Sequence, residues 1–261
     1  MTFFCMGSGS SGNCYYLLED GFGLVIDMGI GVRSFRKYFN DYGLKLSQVR
    51  AMLITHDHTD HIKGAGALSS ELDLPVYAHD AVHDGMGRNP LMYKKVAPSL
   101  QHRYSSDATF TVGPFSVETC VVPHDASGNC GYLLRTAATS FCLLTDMGHV
   151  TSRMASFISR AEHVVIEANY DPVMLQSGPY PGRLKRRIRC GTGHSSNVET
   201  AMALAQHLSP RARHVWLCHL SAENNRPELA LRTVGDALSA AGLVPELHVL
   251  RRTMPSEVVH L

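Results

Sequence analysis

Short apolar runs alternate with glycine-rich or polar breaks along the whole chain. Phe3 to Met6, Tyr15 to Leu18 and Leu24 to Ile26 have the length and flanks of strands. Val32 to Phe39 reads as a helix with Arg33, Arg36 and Lys37 on its polar side. Ala51 to Ile54 predicts a buried strand, Ile62 to Leu72 a helix, Val76 to Ala78 a strand and His79 to Met86 a short helix. Residues 87–108 show little periodicity and predict a long loop. Phe110 to Val112 and Phe115 to Val122 form a hairpin across Gly113-Pro114. Cys130 to Leu134, Ser140 to Leu144, Val164 to Ile166, His214 to Cys218 and Glu246 to Leu250 are further strands. Ser152 to Arg160, Asn197 to Leu208 and Glu228 to Ala240 are helices. Residues 176–193, rich in Gly, Pro and Arg, read as an excursion. No linker or low-complexity tract divides the chain, so a single domain over 1–261 is expected. Runs of strands with helices before and after predict two sheets back to back, covered outside by helices.

The chain is organised around Thr55-His56-Asp57-His58-Thr59-Asp60-His61. Four side chains able to bind a divalent metal, His56, His58, Asp60 and His61, lie within six residues. His56 and His58 share a face if the backbone is extended, while Asp60 and His61 face another point. That spacing suits two neighbouring metals rather than one. The cluster sits between a strand and a helix, where functional residues collect. His56, His124, Asp146 and His219 each follow the C-terminal end of an expected strand, so one sheet edge can gather residues distant in sequence. Cys218 adjoins His219, but strand alternation points it away, into the core.

Composition narrows the classes. An apolar fraction of 44% supplies a buried core, and a net charge of +1 excludes a polycation. Nucleic-acid contact must then come from a local patch. Arg183, Lys185, Arg186, Arg187 and Arg189 supply one, five positive charges within seven residues. The chain has 15 histidines, and histidine is the commonest protein metal ligand. Its seven cysteines, an odd count without CxxC spacing, read as reduced thiols of a cytoplasmic protein. The N-terminus lacks a basic segment before its short apolar run, and no apolar run approaches the ~20 residues of a membrane helix. Neither a signal peptide nor a membrane partner is expected. The loop Gly7-Ser8-Gly9-Ser10-Ser11-Gly12-Asn13 offers N–H groups and hydroxyls to an anion, although glycine-serine loops are more often plain turns. Ser195 and Asn197 open a helix whose N–H groups could hold a phosphate.

His56-x-His58-x-Asp60-His61, followed by His124, Asp146 and His219 in order, resembles the signature of metallo-β-lactamase-fold proteins. Narrower strings are similar to the YycJ (WalJ) group of bacterial DNA exonucleases, related to ribonucleases Z and J. These are Ser10-Ser11-Gly12-Asn13, Glu167-Ala168-Asn169-Tyr170-Asp171, Met174-Leu175, Gly178-Pro179-Tyr180-Pro181, Leu184-Lys185-Arg186-Arg187-Ile188, Gly193-His194-Ser195-Ser196-Asn197 and His219-Leu220-Ser221-Ala222-Glu223-Asn224-Asn225. Tyr170 stands where the group's pattern leads one to expect histidine. The resemblance covers nearly the whole chain. It implies an α/β fold of αββα type, two mixed sheets face to face with helices on both outer sides. It also implies two divalent ions, Zn or Mn. His56, His58 and His124 would hold the first, Asp60, His61 and His219 the second, and Asp146 would bridge them.

Two such metals clamp the oxygens of a phosphodiester and lower the pKa of bound water toward ~7, giving hydroxide at neutral pH. Asp60 would orient that hydroxide. His194, without a place in the ligand set, would donate a hydrogen bond to a phosphoryl oxygen or protonate the leaving oxygen. Lys185, Arg186 and Arg187, with Ser10, Ser11, Asn13, Ser195 and Asn197, are the candidate nucleic-acid contacts. The expected function is 5′→3′ exonuclease action on DNA in repair, with RNA as the other nucleic-acid substrate. A thioesterase or lactonase of the glyoxalase II type shares the dinuclear motif and is the competing function.

Overall fold

The computed structural model describes all residues, Met1–Leu261. Contacts separate the chain into two compact units. The first is Met1–Val117 with Ala126–Cys130 and Arg251–Leu261; the second is Glu118–Asp125 with Gly131–Leu250.

The chain begins with strands β1 (Thr2–Gly7), β2 (Cys14–Glu19) and β3 (Phe22–Ile26), then helix α1 (Val32–Asp41) and strand β4 (Val49–Leu53). Helices α2 (Thr59–Ile62) and α3 (Ala65–Leu72), strand β5 (Val76–His79), helix α4 (Asp80–Arg88) and strand β6 (Gln101–Tyr104) follow. Next come β7 (Thr109–Val112), β8 (Phe115–Val121), β9 (Cys130–Arg135), β10 (Ser140–Leu144), α5 (Ser152–Arg160) and β11 (His163–Glu167). Helices α6 (Pro172–Ser177), α7 (Gly182–Arg189) and α8 (Asn197–His207) lead to β12 (His214–Cys218). Helix α9 (Pro227–Ala240), β13 (Glu246–Val249) and β14 (Val259–His260) end the chain.

Two seven-stranded sheets result, in the orders β14-β1-β2-β3-β4-β5-β6 and β13-β12-β11-β10-β9-β8-β7. Both are mixed. In the first, β1, β2 and β3 pair antiparallel, and β3 to β6 are parallel through intervening helices. In the second, β9 and β10 are antiparallel, and β10 to β13 are parallel. Every residue of β10, β11 and β12 is buried, the continuous apolar run of a strand covered on both faces.

Each unit has its own core. In the first, Phe35 and Phe39 on one face of α1 stack at 4.4 Å between ring centroids, and Phe39 meets Tyr16 of β2 at 4.9 Å. In the second, Met154, Phe157 and Ile158 of α5 join apolar residues of β10, β11, β12, α8 and α9. Arg160 grips Glu118 with two bonds of 2.9 Å, Arg135 adds a third at 2.7 Å, and Arg153 and Arg160 lie over the Phe157 ring.

The expected helix Ile62–Leu72 is instead two. It breaks at Lys63 and Gly64, where the Gly64 N–H donates to Met28 O at 2.7 Å and a Cβ would strike the Ile30 carbonyl. The expected loop 87–108 contains β6, whose polar sequence hid it. The expected excursion contains α7, because Leu184 and Ile188 are one turn apart and dock on Tyr170, Leu175 and Tyr180. No helix is long and apolar enough to cross a membrane, and none of the seven cysteines forms a disulfide.

Candidate metal centre

In the first unit, β3 and β4 run parallel with Ile26 opposite Leu53, so Asp27 and the His56 motif leave the same sheet edge. Asp27 is fully buried with φ of 58°, a left-handed conformation that is uncommon outside glycine and concentrates at functional sites. Its Oδ1 accepts the Thr55 N–H at 2.8 Å, and its Oδ2 accepts the Thr55 hydroxyl at 2.8 Å and His61 Nδ1–H at 2.7 Å. Thr55 Oγ1 also lies 3.0 Å from His56 Nδ1. One buried carboxylate thus orients both His61 and, through a hydroxyl, His56. The His56 and His61 rings are buried with centroids 4.0 Å apart, and His58 stands edge-on to His56 at 4.8 Å. Asp60 is half-buried, and its carbonyl accepts the Asn13 N–H at 2.7 Å. Gly29 packs so closely behind Asp60 that a Cβ would strike its carbonyl.

In the second unit, Asp146 follows β10 and His219 follows β12, both left-handed with φ of 52° and 54°. Glu167, the last residue of β11, lies between them in the sheet order and is fully buried. Its Oε1 is 2.7 Å from His194 Nδ1 and 3.0 Å from His219 Nδ1, while Oε2 accepts the N–H of Met147 at 2.8 Å and of Ser195 at 3.3 Å. Burial alone would neutralise the Glu167–His194 pair. The charge and hydrogen bond between them outweigh it, holding Glu167 below the usual carboxylate range and His194 above the usual imidazole value. Ligand atoms of Asp146, Glu167, His194 and His219 all lie within 4.8 Å of one another. His124 donates through Nδ1 to Gly193 O at 3.0 Å, and its Nε2 lies 3.7 Å from Asp146 Oδ1.

These donors fit divalent ions. They are imidazole and carboxylate throughout, and His56, His61, His124 and His219 are each held through Nδ1 by an oxygen. That is how metal-binding imidazoles are oriented by their surroundings, with Nε2 the atom an ion would take; at His61 Asn13 Nδ2 stands 2.9 Å from that atom. Sequence reasoning missed Asp27 and Glu167. Both end strands, the same signal that marked Asp146 and the His56 motif.

The candidate nucleic-acid residues divide. Ser10 and Ser11 are exposed on their loop. Lys185, Arg186 and Arg187 lie on α7, where Lys185 donates to Gln176 O at 2.8 Å and Arg187 to Asp125 at 2.6 Å. Asn13, Ser195 and Asn197 are corrections, because all three are buried and spent internally. Asn13 Nδ2 donates to Gly9 O at 3.2 Å and lies 2.9 Å from His61 Nε2. Ser195 Oγ donates to Met147 O at 2.9 Å, and Asn197 exchanges amide bonds of 2.9 and 2.8 Å with Asn225. The cap of α8 is Ser196, in a capping box with Glu199, which satisfies that helix end. Tyr170 is buried beside Ser196, and burial pushes its hydroxyl up to about 12.

Residues 24–220 match the family model of the beta-lactamase superfamily domain. The chain is 33% identical to exodeoxyribonuclease YycJ of Bacillus anthracis, over 100% of this chain and 99% of that one. It is 37% identical to exodeoxyribonuclease WalJ of Streptococcus pneumoniae, over 91% and 88%. The metallo-β-lactamase fold protein YhfI of Bacillus subtilis superposes with a TM-score of 0.69 at 16% identity, covering 98% of this chain and 99% of that one. That likeness, with the two mixed sheets and their helices, bears out the expected fold. The chain belongs to the β-lactamase superfamily, in the group of metal-dependent hydrolases that includes YycJ and WalJ.

Proposed function

We propose that this chain is a dinuclear-metal phosphodiesterase, a 5′→3′ exonuclease acting on DNA in repair. The observation that carries the metal chemistry is the grip on the imidazoles. His56, His61, His124 and His219 are held by Thr55, Asp27, Gly193 and Glu167. By motif order His56, His58 and His124 take one ion, Asp60, His61 and His219 the other, and Asp146 is shared. The absence of thiolate donors suits Zn²⁺ or Mn²⁺. Such a pair, when bound, supplies Lewis acidity and an activated water.

The chain's own groups do the rest. Asp60 orients the attacking water. His194, kept protonated by Glu167, gives its proton to the leaving oxygen. The exposed guanidinium groups of α7 hold the strand through its phosphates, which supplies affinity without sequence choice. The names of the YycJ and WalJ relatives support DNA over the thioester of the competing reading. Seven cysteines without a disulfide fit a reducing cytoplasm.

The test is purified protein with Mn²⁺ or Zn²⁺ on duplex DNA labelled at either end, with a glutathione thioester in parallel. Mononucleotide release from 5′ ends supports the reading. Thioester turnover without DNA cleavage refutes it.

A further inference from the structure

A cavity of about 250 Å³ in the first unit is lined by Ser11, Gly12, Ser34, Tyr38, Lys63 and Arg252 among others, with no carboxylate in its wall. Two cations and four hydroxyls, those of Ser11, Ser34, Tyr38 and Thr253, face one space. Neither Lys63 nor Arg252 is paired with an acid. The Arg252 stem packs on Gly9, where an added Cβ would meet its Cγ and Nε at 3.3 Å. The Arg252 Nε is fully buried without a hydrogen-bond acceptor. The wall also includes Gly31, the N-cap of the ten-residue helix α1. Gly31 brings no capping side chain, and the first turn has no acid, so the opening N–H groups and the positive helix end are left for an anion.

This space adjoins the signature motif through the backbone. Lys63 directly follows α2, which carries Asp60 and His61. Gly29, also in the wall, donates its N–H to Asn13 O at 2.8 Å, and Asn13 donates to Asp60 O.

We propose that this cavity binds a phosphate monoester, the terminal 5′-phosphate of the DNA strand. The strand as occupant rests on the exonuclease reading; the phosphate chemistry does not. Two unpaired cations match the charge of a monoester, close to −2 at pH 7, better than the single charge of a diester. Hydroxyls and helix N–H groups supply donors for its three free oxygens.

The test compares binding of one oligonucleotide, 5′-phosphorylated or 5′-hydroxyl, by fluorescence anisotropy. Wild-type protein and the variant Lys63→Gln/Arg252→Gln are used, both metal-loaded. The expected result is a preference of about tenfold or more for the phosphorylated end, the worth of charge-assisted bonds. The double variant should lose it, while Arg252→Lys keeps part of it and metal content is unchanged in all. No preference in the wild type, or one that survives in the double variant, overturns the 5′-phosphate assignment. If the protein binds no DNA, the exonuclease reading fails on its own. The cavity is then judged by inorganic phosphate against chloride at equal ionic strength. A rise in Tm in the wild type that the double variant lacks supports it, and equal behaviour of the two proteins overturns it.

Discussion

His61 donates its Nδ1–H to Asp27 Oδ2 at 2.7 Å, with both side chains fully buried. The carboxylate fixes the ring's tautomer and raises the basicity of Nε2. Asp27→Asn keeps the size of the side chain, and asparagine tolerates the left-handed backbone found here. The variant should fold normally but lose roughly 10- to 100-fold in metal affinity. Competition against a chromophoric chelator measures this. Unchanged affinity would mean that His61 is not a ligand.

Glu167 and His194 have separable roles. Glu167 serves His219 as well as His194, so Glu167→Gln should weaken metal retention along with activity. His194→Ala removes the proposed proton donor alone. It should keep both metals while single-turnover DNA cleavage falls roughly 10²-fold or more. Metal analysis beside the kinetics separates the two. Loss of metal from His194→Ala would make it a ligand instead.

Much of this was legible in the sequence because sheet geometry announces itself. Asp146 and His219 follow apolar runs that end abruptly, so their common edge in the second sheet followed from strand lengths alone, and His56 follows such a run in the first sheet, not on that edge. Asp27 was legible by the same rule but sits outside the His-rich motif. Glu167 stayed hidden because its role depends on two histidines that approach it from 27 and 52 residues away. The reading of Ser195 and Asn197 failed for a different reason. A polar string after glycine signals a helix start, but only packing shows that Ser196 and Glu199 close that helix end upon themselves. The helix α7 was masked by its flanking glycine and proline and by a charge density that swamps its apolar Leu184–Ile188 pair.

The cations of α7 should not contribute equally to DNA binding. Arg187 is already paired with Asp125, next to His124, whereas Arg186 is exposed and keeps its charge for the strand. Arg186→Ala should reduce the salt dependence of DNA binding by about one slope unit. Arg187→Ala should change it less and disturb the His124 loop more. The combined change of Lys185, Arg186 and Arg187 to Ala should flatten the dependence furthest without removing metal. Titrations at several salt concentrations measure the slopes, and slopes that do not move would take α7 out of the interface.

Away from the metal centre, His163 makes stability pH-dependent. It is fully buried at the start of β11, with Nδ1 3.0 Å from that of His214, which stacks on Trp216. Burial first, then the charges of His214 and Arg213, push His163 down to about 3. His214 is lowered too, chiefly by burial, although Glu246 opposes this from 3.7 Å. An unfolded histidine titrates near 6.5. Below that value the unfolded chain takes a proton that the folded chain refuses, so the contribution is complete above about 6.5 and is lost as pH falls toward 3. At pH 5 the refusal spans about 1.5 units, or about 2 kcal/mol. Urea unfolding at pH 7 and 5, with chelator present to remove metal-linked protonation, reads this directly. Wild-type protein should lose about 2 kcal/mol more between the two pH values than His163→Phe, whose ring keeps the stack near Trp216. Equal losses in the two proteins would show that His163 carries no such penalty.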